Sequence, residues 1–118
     1  MDTIVSISTP LGSGAVGIVR MSGDNACGLA EKIFKPYQLD SFNLAQPNMM
    51  YLGALNCGGV NDIALAVKFA APRSYTGEDV VEFHCHGGIS LVKKVYNGCV
   101  EMGARAADRG EFTRRAFL

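Results

Sequence analysis

Two charged residues, Arg20 and Glu82, stand among aliphatic neighbours in segments whose alternating pattern predicts β-strands. A charge at such a position is costly unless a second charge or a ligand satisfies it. Two interpretations therefore stay open. Either the two side chains form an ion pair with each other, or both line a polar pocket for a heterocycle. A carboxylate accepts two parallel hydrogen bonds from an amino-pyrimidinone edge and a guanidinium binds a carbonyl or carboxylate, so such a pocket would suit a pterin.

A glycine-rich segment, Gly12-Ser13-Gly14-Ala15-Val16-Gly17, matches the Gly-x-Gly-x-x-Gly pattern of dinucleotide-binding loops. That pattern requires a helix after its last glycine, because the helix N-terminus holds the pyrophosphate. Here Ile18-Val19-Arg20 continues an extended pattern instead, which argues against a dinucleotide site. The sequence also lacks Gly-x-x-x-x-Gly-Lys-Ser/Thr, so we expect no GTP or ATP binding by a P-loop.

The run His84-Cys85-His86 has the residue types of a zinc site or of a thiol nucleophile. On a strand, however, His84 and Cys85 point to opposite faces, and no second ligand cluster completes a zinc tetrahedron. We therefore predict no metal site. Catalysis by Cys85 is the weaker alternative, since a buried strand cysteine usually behaves as an inert small hydrophobe. Glu82 and His84 are predicted to be neighbours on one face.

The elements that position these residues are predicted from hydrophobic periodicity. The first helix begins after a cap at Ser22 or Asp24 and ends at Pro36, and 37–47 is interpreted as a surface connection. Four arginines in the final segment are more typical of a solvated helix end than of a site for RNA phosphates or a ligand's glutamate tail: Arg105, Arg109, Arg114 and Arg115. Strands are predicted at 3–9, 15–21, 48–56, 60–70, 79–85 and 104–107, and a second helix at 89–102.

The composition fits one compact domain, since the chain has 118 residues, 48% of them apolar and 19% charged. Eleven basic residues balance eleven acidic ones, so the net charge gives no reason to expect binding to nucleic acid or an acidic membrane. No apolar run approaches the roughly 20 residues of a membrane helix, and we expect a soluble, cytoplasmic protein. Four scattered cysteines without a Cys-x-x-Cys pair fit a reducing compartment. Because the last ten residues contain no residue pattern that ends a helix, we expect the chain to be a fragment.

Four stretches of the sequence carry a family resemblance that covers nearly the whole chain. They are DTIV at 2–5, TPLGSGAVGIVRMSG at 9–23, SYTGEDVVEFHCHGG at 74–88 and RGEFTRRAFL at 109–118. Together, in this order and spacing, they resemble the amino-terminal domain of the tRNA uridine-modifying GTPase family MnmE, also called TrmE. Two departures are Gly-Ser-Gly-Ala at 12–15, where members often carry Gly-Arg-Gly-Gly, and Ala107-Asp108, where Ala-x-Pro is usual.

The resemblance implies an α+β fold, a mixed β-sheet with helices packed on one face, similar to the tetrahydrofolate-binding domain of aminomethyltransferases. Residues 1–118 would form a single folate-binding and dimerisation domain, without the helical and GTPase domains of the parent protein. Arg20, which closes Gly-Ile-Val-Arg, and Glu82, which closes Glu-Asp-Val-Val-Glu, would contact the folate. The family's third folate contact is a lysine a few residues beyond Arg-Ala-Phe-Leu, which this sequence does not reach.

The resemblance also implies a function for the parent protein. The domain would bind a tetrahydrofolate derivative, either 5-formyl- or 5,10-methylene-tetrahydrofolate, and form a homodimer. The full protein would hydrolyse GTP with Mg²⁺ and K⁺ in its GTPase domain. With the flavin-dependent partner MnmG (GidA) it would build a 5-carboxymethylaminomethyl-type group on the wobble uridine of tRNA. The alternatives are a purely structural dimer scaffold and a free-standing one-carbon enzyme of the aminomethyltransferase type, or a thiol enzyme using Cys85.

Overall fold

The computed structural model describes residues 2–8, 16–86 and 88–118, which form a seven-stranded mixed sheet with three α-helices. The strands are β1 (Ile4–Ile7), β2 (Val16–Ser22), β3 (Phe34–Pro36), β4 (Tyr51–Cys57), β5 (Val60–Phe69), β6 (Val80–His86) and β7 (Arg105–Ala106). The sheet order is β3-β4-β5-β6-β2-β1-β7; β1 and β7 are parallel, and the other neighbouring pairs are antiparallel. The predicted α+β class is confirmed. The helices are α1 (Ala26–Ile33), α2 (Gly88–Glu101) and α3 (Glu111–Ala116), with a 3₁₀ turn at Phe42–Leu44.

The two faces of the sheet have different roles. Val19, Phe83 and Ala66 are directly opposite one another on β2, β6 and β5, and all are buried in the core under α1 and α2. The alternate residues Arg20, Glu82 and Val67 form the adjacent row and point to the opposite face, which we call the open face. The helices contribute aliphatic stripes to the core: Ala26, Leu29, Ala30 and Ile33 from α1, and Val92, Val95 and Cys99 from α2.

The strands predicted at 48–56 and 60–70 form the β4–β5 hairpin, which turns at Gly58 and Gly59. Cys57 pairs with Val60, and the two intervening glycines have φ of 58° and 80°. Both angles lie in the left-handed region, which glycine enters at little steric cost. Helix α2 packs closely on this turn, because a Cβ at Gly98 would lie 2.9 Å from the backbone nitrogen of Gly58. The hairpin and α2 therefore fix each other's position.

The structure corrects three predictions in the first half of the chain. Helix α1 ends at Ile33 rather than at Pro36, because Phe34 is extended and β3 pairs with β4. Its N-cap is Asn25, without a side-chain capping bond, and not Ser22 or Asp24. The interpretation of 37–47 as a surface connection is wrong at Phe42, which is fully buried edge-on against Phe34 with ring centroids 5.5 Å apart.

None of the helices in the part of the chain the structure describes is long and apolar enough to cross a membrane.

Candidate functional site

The site is built around a direct cross-strand pair on the open face. Arg20 on β2 and Glu82 on β6 are register partners, so their side chains leave the sheet side by side. Nε and Nη2 of Arg20 lie 2.8 and 2.7 Å from the same oxygen, Oε2 of Glu82. The side chains are 24% and 12% exposed, so solvent reaches both groups. The structure thus brings together the two residues that the sequence singled out, and places them on one face.

His84 completes a polar triad with these two residues. It follows Glu82 by two positions on β6, as the strand pattern predicts, and its Nε2 lies 3.0 Å from Oε1 of Glu82. A carboxylate oxygen only accepts, so a neutral His84 ring must carry its proton on Nε2. The triad therefore engages both oxygens of Glu82, one by a cation and one by an imidazole.

Two aromatic side chains border Arg20. Tyr75 lies in the loop before β6, and Phe112 lies on α3. The distance from Cζ of Arg20 to the ring centroid is 5.9 Å for each of them. Both distances fall within the range of cation–π attraction. The hydroxyls of Tyr75 and Thr113 are 3.1 Å apart, which links the loop to α3. Helix α3 therefore lies beside the open face, whereas α1 and α2 cover the core face.

Beyond His84, the open face becomes apolar. Leu65 on β5 is the register partner of His84, and Leu52 on β4 is the register partner of Leu65. Next to them is an open pocket of about 370 Å³. A flat heterocycle bound at Glu82 would thus have aliphatic surface at its side. The lining residues of this pocket are Tyr37, Gln38, Met50, Tyr51, Leu52 and Leu65.

The other chemical candidates are less well placed. Cys85 is 1% exposed on the core face, opposite to His84, and burial raises the pKa of its thiol to about 11. Such a thiol is neither accessible nor ionised at neutral pH. No cluster of three or more His, Cys, Asp or Glu residues able to hold a metal ion occurs in 2–8, 16–86 and 88–118. Gly17 lies within β2, so the extended pattern after the glycine motif is confirmed, while 9–15 fall outside the described residues.

The interpretation of the final arginines as a solvated helix end is wrong for Arg115. Its side chain is 4% exposed and lies 2.6 Å from Oδ1 of Asp2, 2.9 Å from Oε1 of Glu78 and 3.3 Å from Oε2 of Glu111. Arg105 binds both oxygens of Glu111 at 3.1 and 2.6 Å, and also Asp2. We call these five residues the terminal network. Asp2 and Glu78 are far along the chain from Arg105, Glu111 and Arg115, so sequence periodicity carried no signal for the contacts between these two groups.

The terminal network also reaches the strand that carries Arg20. The hydroxyl of Ser22, at the end of β2, donates to Oε1 of Glu78 at 2.8 Å and lies 2.7 Å from the hydroxyl of Thr76. Glu78 and Thr76 belong to the same loop as Tyr75. The network therefore holds the loop and α3 in the positions from which Tyr75 and Phe112 border the site.

Ion pairing shifts the titration of two carboxyls in the terminal network. Hydrogen bonds from Arg105, and then from Arg115, lower the pKa of Asp2 to about 2. Hydrogen bonds from Arg105 and from the backbone N–H of Asp108 lower the pKa of Glu111 to about 2. Both carboxylates thus favour the folded state as long as they stay ionised.

We expect the stability of the protein to fall in acid through this network. The two pKa values are lower in the folded state than the ordinary values of 3.8 and 4.5. The stabilisation is therefore complete above those values and is lost as the pH falls toward about 2. Arg105→Gln should make this acid decrease shallower, because it removes the largest cause of both shifts. Urea unfolding at a series of pH values measures the effect, and identical acid slopes in the two proteins would contradict it.

Fold and site together define a class: an α+β domain with one face covered by two helices and a polar triad on its open face. The family model described as "GTP-binding protein TrmE N-terminus" matches residues 3–118. Among curated proteins, the chain is similar to "tRNA modification GTPase MnmE" of Syntrophus aciditrophicus (strain SB), with 48% identity. The proteins of the same name from Fervidobacterium nodosum and Nitratidesulfovibrio vulgaris (strain DP4) are 46% and 45% identical to it.

The chain belongs to the MnmE (TrmE) family of tRNA modification GTPases and corresponds to its amino-terminal part. Each of the three alignments covers 99% of this chain but only 26% of the relative. The chain therefore spans about a quarter of the length of the curated relatives it matches. The predicted family is confirmed.

Proposed function

We propose that this chain is the tetrahydrofolate-binding and homodimerising domain of a GTPase that modifies the wobble uridine of tRNA. The observation that carries the folate assignment is the position of Glu82 and Arg20, side by side and partly exposed on the open face. A carboxylate at that place can accept hydrogen bonds from the amino-pyrimidinone edge of a pterin, and the guanidinium can bind a carbonyl or carboxylate of the ligand. The open pocket beside Leu65, which Leu52, Met50 and Gln38 also line, offers surface for the rest of the molecule.

In the whole protein, the tasks divide between domains. Tetrahydrofolate, as the 5-formyl or 5,10-methylene form, would supply one carbon at this domain. GTP, with Mg²⁺ and K⁺, would be hydrolysed elsewhere in the protein, and the flavin-dependent partner MnmG (GidA) and tRNA would complete the cytoplasmic reaction. Arg20 and Glu82 bind and orient the ligand in this proposal, and no residue of the domain is assigned a catalytic step.

Thermal unfolding in the presence of 5-formyltetrahydrofolate tests the folate assignment. A ligand that binds only the native state stabilises it by about 2.7 kcal/mol at 100 times its dissociation constant. We expect a rise in the melting temperature that grows with ligand concentration. No rise at any concentration would favour the second candidate function, a structural scaffold. That candidate is favoured by one observation, namely that Arg20 and His84 already engage both oxygens of Glu82.

The homodimer is expected to use the apolar part of the open face. Tyr37, Met50, Leu52 and Ile63 are between 42% and 54% exposed there, and contiguous exposed apolar surface is typical of interfaces. Leu52→Glu should therefore convert the dimer into a monomer, because it buries an unpaired charge at the contact. Sedimentation velocity measures the change. Leu44→Glu is the matched control, because Leu44 is 61% exposed on the 3₁₀ turn. If Leu44→Glu were a monomer while Leu52→Glu stayed a dimer, the assignment would be contradicted.

A further inference from the structure

Three of the four cysteines lie in the core, and two of these three are in direct contact. Cys57 is at the end of β4, Cys85 is on β6 and Cys99 is on α2; all three are buried and all are free thiols. The side chains of Cys57 and Cys99 are hydrogen-bonded to each other. The folate site proposed for the open face makes no use of these thiols, so their contact calls for a separate explanation.

A glycine on α2 lets the Cys57 thiol rest directly on the helix backbone. A Cβ at Gly98 would lie 2.3 Å from Sγ of Cys57, which is closer than real Cβ atoms approach other atoms. The Cys57 thiol also donates a hydrogen bond to the carbonyl oxygen of Val95 at 3.4 Å. Val95 and Cys99 are four residues apart on α2 and therefore lie on the same face of the helix. The sulfur of Cys57 is thus held against the face that carries Cys99.

The two thiols differ in how readily they ionise. The hydrogen bond from Cys99 lowers the pKa of Cys57, and the same bond, together with burial, raises the pKa of Cys99. The thiolate, and not the thiol, attacks a disulfide. Cys57 is also the more exposed of the pair, at 8% against 0% for Cys99. Cys57 is therefore the thiol that reacts first with an oxidant, and Cys99 is placed to react with Cys57 afterwards.

We propose that Cys57 and Cys99 form a dithiol site that a low-molecular-weight disulfide oxidises to an intramolecular disulfide. The Cys57 thiolate attacks one sulfur of the small disulfide, which forms a mixed disulfide and releases one small thiolate. The Cys99 thiol then loses its proton and attacks Sγ of Cys57, which forms the Cys57–Cys99 bond and releases the second small thiolate. Two cysteine thiols are oxidised, one small disulfide is reduced to two thiols, and the two protons of the cysteines end on those thiols.

The disulfide cross-links the β4–β5 hairpin to α2 on the core face of the sheet. The bond closes a loop that contains β5, β6 and most of α2. Closing a loop of this kind stabilises a protein mainly by restricting the unfolded chain. The oxidised protein should therefore unfold at a higher urea concentration than the reduced protein. Because Arg20 and Glu82 lie on the open face, the inference goes beyond the proposed folate site and does not depend on it.

Oxidation with glutathione disulfide tests the proposal, with mass spectrometry of the unfolded and alkylated protein as the measurement. Cys27→Ala is the background for every sample, because Cys27 on α1 is only partly buried and would react by itself. We expect two of the three remaining thiols to be lost, no glutathione to stay bound, and one cross-linked peptide to join Cys57 to Cys99. In this background, Cys99→Ala should stop at a mixed disulfide on Cys57. Cys85→Ala is the matched control and should form the cross-link as before.

Several results would overturn the dithiol site. They are retention of all three thiols at every ratio of oxidised to reduced glutathione, a cross-link that includes Cys85, and glutathione that stays on Cys57 while Cys99 is present. An unmodified Cys57 in Cys99→Ala would overturn the order of the two steps. If Cys99→Ala does not fold by circular dichroism, the peptide map of the Cys27→Ala protein still tests the cross-link. Equal urea midpoints for the oxidised and reduced proteins would overturn the stabilisation.

Discussion

Glu82→Gln is expected to weaken 5-formyltetrahydrofolate binding by about 100-fold and to leave the dimer intact. The substitution keeps the size of the side chain but removes the charge and one of the two acceptor oxygens. Hydrogen bonds to a charged group contribute about 1.5–3 kcal/mol each, and the loss of one or two of them corresponds to this factor. Arg20, which is 24% exposed, can be hydrated after the change, so the fold should persist. Isothermal titration calorimetry measures the affinity.

A second acid-to-amide change provides the control for Glu82. Glu101, at the exposed end of α2, lies on the other side of the sheet from the triad. Glu101→Gln alters the net charge equally and should leave the affinity unchanged. If Glu82→Gln binds 5-formyltetrahydrofolate as tightly as the wild type, the ligand does not hydrogen-bond to the Glu82 carboxylate. The Arg20–Glu82 pair is then purely structural. Sedimentation velocity on the same samples shows whether the proposed dimer is retained.

Arg115→Met is expected to lower the free energy of unfolding by about 3–5 kcal/mol, the usual cost of removing one partner from a buried ion pair. Arg115 is 4% exposed and serves the carboxylates of Asp2, Glu78 and Glu111 at once. Without it, the buried Glu111 keeps only Arg105 as a close cation, and Glu78 loses its guanidinium partner. Urea denaturation measures the loss. Arg115→Lys should lower the free energy of unfolding by less than Arg115→Met, because lysine keeps the positive charge. Some loss should remain, because lysine lacks the planar guanidinium.

The neighbouring residue makes a matched control. Arg114 lies on the same helix, is 59% exposed and approaches Glu111 no closer than 4.0 Å. Arg114→Met should change the free energy of unfolding by no more than about 0.5 kcal/mol, as exposed substitutions usually do. Equal losses from the two substitutions would show that the terminal network contributes nothing specific to stability.

The strands and helices followed from local pattern because burial on one face imposes a period on the sequence. The alternation of Val81, Phe83 and Cys85 against Glu82 and His84 predicted both faces of β6 correctly. The same logic located β2 and showed that Gly17 does not open a helix. The pattern failed at Phe34, which begins strand β3 directly after α1. This strand forms because it hydrogen-bonds to the edge of β4, and β4 is formed by residues further along the chain.

What the sequence determined by itself is the family, the sheet and the two residues at its centre, because a charge between aliphatic side chains on a strand must find a partner. Only the tertiary structure decided what that partner is. The antiparallel register of β2 and β6 brings Arg20 opposite Glu82 across 62 positions of chain, and α3 places Phe112 beside them. The terminal network, with Arg115 bonded to Asp2 across 113 positions, is likewise a product of folding. Such contacts depend on the relative placement of whole elements, and local periodicity holds no information about distant partners.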